Sequence, residues 1–504
     1  MENTFLDSIK REMNYTETEN GGISRKSTLD AVYDMFALGG AYRSRSDEDC
    51  ILLFKKALEE NEELALKCLF YLRDIRGGQG ERRFFRVCFK WLAKNYPELA
   101  FRNLDNIPEY GRWDDLYCVE GTELRADAFD VIQCQLNKDL MSLKEGEKEG
   151  VSLLGKWLKS ENASAEDTKY LANQTRIALG YSHKKYRKIL SALRTRINIV
   201  EKLMSEGRWE EIEFAKLPSK AGLIYRNAFA HNDLIKDKYE AFINSKETKV
   251  KAATLYPYEI VKKVTDTLDY CGRTDLEETE REVLNKYWAN QDTSMFNEAS
   301  SILCVCDTSG SMTSKYGTSV APIDIAISLS MICAENNKSD FKNKYISFSS
   351  RPQFIEIEGI DFVDKVQRIY RQNLCENTDL KATFDLIKNA ILKTKKIEDL
   401  PKTIVVLSDM GIDSMSYWRD KSRVKTEMEL MREEWARDGL KLPRLVYWNC
   451  AARNNNILDE IDNDDITYVS GASPIIFNSI LRGLSGKDLM LEKLLYSGRY
   501  DNVK

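Results

Sequence analysis

The stretch SILCVCDTSGSM, Ser301–Met312, decides how this chain is read. Apolar, β-favouring residues run from Ile302 to Cys306 and stop on one acid, Asp307. Two serines follow, Ser309 and Ser311, and then residues that suit the start of a helix. A short apolar run that ends on an aspartate reads as a buried strand whose carboxyl end carries the chemistry. Alternation puts Cys304 and Cys306 on one face of that strand, where they read as core rather than as ligands.

Downstream the same grammar repeats. Short β-rich runs fall at Tyr345–Phe348, Thr403–Leu407, Leu445–Trp448 and Thr467–Val469. Helical patterns separate them at Asp324–Glu335, Leu380–Lys393, Thr426–Arg437 and Pro474–Leu481. That alternation predicts βαβ units and a mainly parallel sheet covered by helices on both faces, an α/β domain over 297–490 with a tail at 491–504. Upstream, from Leu29 to about Tyr287, apolar residues recur every three or four positions. Helices are expected at Ala126–Leu143, Glu166–Leu179, Tyr186–Met204, Tyr258–Tyr270 and Asp275–Trp288. Short connections between amphipathic helices suggest an all-helical region over 29–296, stacked in a HEAT-like way with degenerate repeats and preceded by a segment at 1–28. The expected class is therefore α plus α/β, with the break near the polar stretch WANQDTSMFNEAS, 288–300.

Composition narrows the function. The chain has 504 residues, 43% hydrophobic and 31% charged, with a net charge of −5. That excludes a uniformly basic nucleic-acid coat but not a local basic face. The beginning carries charge throughout and lacks the apolar core of a signal peptide. No apolar run approaches the ~20 residues that a membrane helix needs. Eleven cysteines without a C-x-x-C pair argue against a disulfide scaffold or zinc fingers and suit a cytoplasmic location. His183 and His231 are the only histidines, which leaves little room for histidine catalysis.

Two later segments can reach the rim where Asp307 sits. NTDLKATFDL, from Asn377, opens a helix with Thr378 and Asp379; TIVVLSDM, from Thr403, ends a strand on Asp409. Asp307, Ser309, Ser311, Thr378 and Asp409 form an all-oxygen set, the donor type that suits Mg2+ or Mn2+. The competing reading of Asp307, Ser309 and Ser311 is a helix cap and turn, which leaves Thr378 and Asp409 unexplained. In type and order the set resembles the metal-ion-dependent adhesion site, or MIDAS, of von Willebrand A domains, with asparagine instead of glycine before the threonine. Hydroxyl ligands are neutral, so the ion stays electrophilic toward an outside anion; in the resembled family that anion is a partner's carboxylate. The expected role is gripping a ligand without hydrolysis. Asp324 and Asp379 are open as neighbours of the ligand shell.

The helical half holds three basic segments. In YLRDIRGGQGERRFFR, Tyr71–Arg86, the glycines Gly77, Gly78 and Gly80 lie among Arg73, Arg76, Arg82, Arg83 and Arg86, a pattern that suits phosphate. IPEYGRWDDLY places Arg112 beside Trp113. In YSHKKYRKILSALRTRINIVEK, Lys184, Lys185, Arg187, Lys188, Arg194 and Arg196 occur with almost no acid between them. Basic residues mixed with aromatic ones suit single-stranded RNA. The plainer alternative is a solvated helix face, with Trp113 and Trp157 in the core. GVSLLGKW, Gly150–Trp157, imitates a P-loop but has Trp157 where Ser or Thr should hold Mg2+, and no strand before it.

Taken together, YLRDIRGGQGERRFF, YGRWDDL, LLGKWLKSEN, YRKILSALR, KLPSKA, CDTSGSM, NTDLKATFDLI, VVLSDM and YVSGASP resemble the uncharacterised Ro-like proteins, across about residues 30 to 490. These join a helical TROVE-like region to a von Willebrand A domain and are distant relatives of the Ro autoantigen, whose helical ring binds misfolded and small structured RNAs. The resemblance implies an RNA-binding protein of ribonucleoprotein type, with a divalent metal and an anionic ligand at the α/β rim. No DNA and no membrane are expected as partners. The alternative is a protein-interaction module that docks a partner's acidic residue on the metal and binds no RNA. A metal-dependent nuclease would want more clustered carboxylates than this rim supplies, so the chain is not expected to be an enzyme.

Overall fold

The computed structural model describes residues 9–10, 13–17, 23–146, 150–296, 301–372, 379–410, 427–453, 457 and 465–504. Two short strands, β1 (Tyr15–Glu17) and β2 (Ile23–Arg25), pair antiparallel. Helices α1 (Ala31–Leu38), α2 (Asp47–Glu60), α3 (Glu62–Arg73) and α4 (Arg82–Asn95) follow. Short helical turns then lead to α5 (Arg125–Glu145), α6 (Glu166–Ala178) and α7 (His183–Arg196). Beyond further short helices, Lys236–Asn244 among them, come α8 (Pro257–Thr265) and α9 (Glu278–Ala289). The last third alternates: β3 (Ile302–Cys306), α10 (Pro322–Asn336), β4 (Lys344–Ser347), β5 (Phe354–Glu356), α11 (Phe362–Tyr370), α12 (Leu380–Thr394), β6 (Thr403–Ser408), α13 (Glu427–Arg437), β7 (Arg444–Asn449) and β8 (Ile466–Ser470).

The class is α plus α/β, as the periodicity implied. Six strands form one sheet in the order β5-β4-β3-β6-β7-β8. Every neighbour is parallel except β5, which returns antiparallel on β4. The register sets Ile302 against Thr403 and Cys306 against Leu407, so β3 and β6 end side by side. Thr403–Ser408 is buried along its whole length, as expected of a central parallel strand covered on both faces.

Compactness divides the chain into two units, 1–68 with 252–498 and 69–251 with 499–504. The division does not follow the change of periodicity near 297: residues 29–68 and 252–296 fall with the sheet. The reason is packing. Every residue of α10 from Pro322 to Ala334 is buried, because the helix is enclosed by the sheet and by α8 and α11. A helix apolar all round needs such an outer cover. Helix α1 lies against β8, the strand at the other end of the sheet order from β5. There the buried Tyr33 hydroxyl accepts from the Tyr468 amide at 2.8 Å and lies 3.2 Å from the Tyr468 carbonyl. A Cβ on Gly40 would come 2.9 Å from the Ser470 carbonyl, which fixes glycine at that approach.

The helical unit gathers its core along α4, where Phe84, Phe85, Cys88, Phe89 and Leu92 form one buried stripe. Phe70 meets Phe85 edge-on at 5.2 Å and Tyr110 at 5.4 Å. Emptying one such position, Phe85→Ala for example, costs ~3–5 kcal/mol. The single helix expected at Tyr186–Met204 is interrupted: Asn198 takes a left-handed φ of 49°, and a separate turn runs from Val200 to Ser205.

Candidate functional site

The rim of the sheet assembles most of the expected oxygen set. Asp307 and Asp409 follow the adjacent ends of β3 and β6, and both are buried, at 0% and 1% exposure. Asp307 Oδ1 accepts the Ser309 amide at 2.9 Å, and its Oδ2 accepts the Ser408 hydroxyl at 2.6 Å. The Ser309 and Ser311 hydroxyls stand 3.2 Å apart. Burial first, and then the neighbouring Asp409 charge, push the Asp307 carboxyl up to about 7, against the hydrogen bonds from Ser408 and Ser309. Arg453 Nη1 lies 3.6 Å from Asp409 Oδ2. Met410, directly after Asp409, is held at φ 67°, a region that costs a side chain energy and that clusters at functional sites. Thr378, the fifth expected ligand, lies outside the described residues.

A metal fits this donor set. Two carboxylates buried side by side repel; a cation held by Asp307 and Asp409 would relieve that repulsion, and the Ser309 and Ser311 hydroxyls would supply further oxygen donors. Among the described residues no three His, Cys, Asp or Glu side chains cluster. Among the described residues the set is two acids plus hydroxyls. Ser408 and Arg453 were missed in the sequence. Ser408 was legible, as the residue before Asp409 on a strand paired with β3; Arg453 is 44 positions from Asp409 and carries no local signal.

Asp324 is buried at the start of α10, and its bonds are to other residues. Its carboxylate accepts the Thr265 hydroxyl at 2.5 Å and the Ala321 amide at 3.2 Å, capping α10. Burial raises it to about 6. Asp379 caps α12 by accepting the Ala382 amide at 2.8 Å. Cys304 and Cys306 are buried in β3 as read, beside Cys333 and Ser330.

In the helical unit the expected basic residues separate into two groups. Arg73 is 2% exposed, and its Nε and Nη2 donate to Asp115 Oδ2 at 2.8 and 2.6 Å. Arg86 Nε donates to Asp115 Oδ1 at 2.6 Å, and its Nη2 lies 3.0 Å from Asp114. Arg112 donates to both Asp114 oxygens and stacks 3.9 Å above Trp157. These three arginines are therefore engaged inside the unit, and Trp113 and Trp157 are half-buried instead of core. Arg194 donates to the Gly155 and Leu158 carbonyls, both at 2.9 Å, and to the Ser160 hydroxyl at 2.8 Å, fastening that loop.

The glycine loop is closed as well. The Asp74 carboxylate accepts the Arg76 amide at 2.9 Å, while the amides of Gln79, Gly80 and Glu81 donate to the carbonyls of Tyr71, Asp74 and Leu72. Those donors are engaged inward and an acid sits at the centre, so the backbone there is not the phosphate cradle that the glycines suggested.

Arg76 and Arg82 are exposed and Arg83 is half-exposed. On α7, Lys184, Lys185, Arg187 and Lys188 all face solvent, with Lys185 set 4.0 Å from the Tyr181 ring. Among the described residues no carboxylate is bonded to any of those four. Arg187 also lines a cleft of about 920 Å³, together with Lys156, Lys202 and Leu190. Glu161, Glu201 and Glu206 line the same cleft. His183 Nδ1 lies 2.6 Å from Glu161, and His231 Nδ1 2.8 Å from the Asn227 carbonyl. Gly155 of the P-loop imitation packs on Leu193, where a Cβ would come 2.5 Å from that side chain.

No helix among the described residues is long and apolar enough to cross a membrane. Residues 18–118 and 158–295 match the model of a family described as a domain of unknown function, DUF2828. Residues 301–491 match a second, also described as a domain of unknown function, DUF7788. The chain is 27% identical to the uncharacterized protein L728 of Acanthamoeba polyphaga mimivirus, over 93% of this chain and 85% of that protein. Among solved structures, the Ro (RSR) protein of Deinococcus radiodurans aligns over 91% of this chain and 100% of its own, at 15% identity and a TM-score of 0.38. By sequence, then, this chain is similar to two families of undescribed function, one over most of its first 295 residues and the other over 301–491.

Proposed function

We propose that the chain is an RNA-binding protein of Ro-like type whose helical unit holds RNA and whose α/β rim holds Mg2+ or Mn2+. The observation that carries the first part is the solvent-facing row Lys184, Lys185, Arg187 and Lys188 beside Tyr181. Cations without a bonded carboxylate attract phosphates, and an aromatic ring at their edge offers a base a stacking surface. Arg76, Arg82 and Arg83 add positive charge from the α3–α4 side of the same unit. Arg73, Arg86 and Arg112 support that unit from within.

The metal rim has a separate part in this reading. Asp307, Ser309, Ser311 and Asp409 hold the ion, which presents an electrophilic face to an anion. The neutrality of the hydroxyl donors favours a partner's carboxylate there, and a protein partner docked at the rim is the second reading. The reading includes no hydrolysis and no membrane or DNA partner; its location is the cytoplasm.

The test begins with protein purified from cells at low salt, with and without RNase, beside a Lys184, Lys185, Arg187, Lys188 quadruple alanine variant. RNase-sensitive nucleic acid that is present on the parent and lost from the variant is the expected result. Protein free of nucleic acid in both preparations, with no affinity for added single-stranded or hairpin RNA, overturns the RNA reading. Loss of partner capture on adding EDTA then supports the second reading.

A further inference from the structure

We infer that the α3–α4 glycine loop and the short helices after α4 form a peptide-binding groove specific for an Arg-Tyr pair followed by a tight turn, held here by residues 499–504. The segment is received almost entirely through side chains of the groove. Asp74, fully buried, accepts from the Arg499 guanidinium through both oxygens and from the Tyr500 hydroxyl at 3.0 Å. The Tyr500 ring is 1% exposed, 5.3 Å from Tyr110 and 6.2 Å edge-on from Tyr71. Val503 is 3% exposed, and its amide donates to the Tyr500 carbonyl at 3.1 Å, closing the turn.

The segment's backbone is read too. Tyr110 donates to the Arg499 carbonyl at 2.7 Å, and Asn106 to the Asn502 carbonyl at 2.9 Å. Asn103 meets the Lys504 backbone on both sides: its amide donates to the carbonyl, and its oxygen accepts the Lys504 amide at 2.9 Å. A side-chain amide that pairs with both backbone groups of one residue does what a neighbouring strand would do.

This reading accounts for the glycines. A Cβ on Gly77 would overlap the Arg499 side chain and one on Gly78 the Tyr71 carbonyl, while Gly80 needs a φ of 66°. The loop is shaped to let Arg499 reach Asp74. Burial opposes ionisation of Asp74, but the Arg499 guanidinium and the amides of Arg76 and Gly77 hold its carboxyl below the usual range, so the groove presents a fixed negative charge to an arginine. One buried acid, two tyrosines and two asparagines that read backbone are the parts of a recognition site.

The probe is the labelled peptide Arg-Tyr-Asp-Asn-Val-Lys. The receptors are the chain ended at Gly498 and, separately, the full chain carrying Arg499→Ala with Tyr500→Ala. Fluorescence anisotropy should show saturable binding to each, and the peptide should raise the melting temperature of each. Replacing Tyr by Ala in the peptide, or Asp74→Asn in the receptor, should weaken binding at least tenfold. Receptors that melt cooperatively yet bind no peptide overturn the inference, and where only one folds, that one decides. Absence of a cooperative melt in both, with and without peptide, overturns it as well, because the segment is then an inseparable part of the core.

Discussion

Arg73→Ala separates a supporting role from a binding role. In the folded chain the guanidinium makes two hydrogen bonds to Asp115 Oδ2, at 2.8 and 2.6 Å, in a site with 2% and 0% exposure. Removing one partner of a buried ion pair costs ~3–5 kcal/mol because the other charge is stranded. Here Asp115 keeps Arg86 Nε at 2.6 Å and the Arg112 amide at 2.9 Å, so its charge is still partly met. The lower end, about 3 kcal/mol, is therefore the expected loss. With a urea m-value of ~2–3 kcal/mol/M, the midpoint of the helical unit should fall by roughly 1–1.5 M. The assay is urea titration followed by circular dichroism, with RNA affinity measured on the same preparations below the transition. Affinity should stay within about twofold of the parent, since a side chain sealed in the unit has no route to a phosphate. An unchanged midpoint together with a tenfold loss of RNA affinity would refute the placement of Arg73 as an internal support.

Alanine at Lys184, Lys185, Arg187 and Lys188 should leave the urea midpoint unchanged and flatten the dependence of log affinity on log salt by about 3, since each neutralised phosphate of a single strand contributes ~0.7 to that slope; an equal slope in parent and variant rules these residues out as phosphate ligands. Asp307→Asn should abolish the Mg2+ or Mn2+ heat in titration calorimetry without lowering the melting temperature in EDTA, because it removes a buried charge that repels Asp409; retained metal binding would exclude Asp307 as a ligand. Asp324 binds its proton more tightly folded, at about 6, than unfolded, near the usual carboxylate value. The stability it contributes is complete below pH ~4 and disappears as pH rises through about 6, by up to ~3 kcal/mol. Thr265 and the Ala321 amide bond this carboxyl, and Lys262 and Asp266 act on it through charge. Asp324→Asn should therefore gain stability over the parent between pH 4 and 7, and parallel pH profiles would contradict the assignment.

Much of the sheet was legible because parallel strands buried on both faces leave continuous apolar runs. Five of the six strands were expected within a residue or two of where they lie. The sixth, Phe354–Glu356, is a three-residue edge strand with Phe354 and Glu356 exposed, so it leaves no apolar run. Helix α11 does carry a readable signal, Asp361 as cap and Phe362, Val366 and Ile369 on one face, although it was not among the expected helices. Asp307, Ser309, Ser311 and Asp409 could be found because strand ends are local features. The burial of Arg73 could not, because its partner Asp115 lies 42 positions away and an arginine beside glycines looks the same in sequence whether it faces water or an aspartate. The helical run through Asn198 misled for a related reason: one left-handed residue breaks a helix without breaking its apolar spacing.

The pairing of Tyr33 with Tyr468 fixes a timetable for the sheet-bearing unit. The two residues are 435 positions apart, and β3 must likewise wait about a hundred positions for β6. At ~5–20 residues per second, a ribosome that has released Tyr33 needs roughly 20–90 s to deliver Tyr468. Throughout that interval α1 has seven residues destined for burial, among them Met35 and Phe36, and no sheet to lay them on. A nascent chain of this design gives chaperones a long window on α1, and slower synthesis widens that window instead of helping the unit to close.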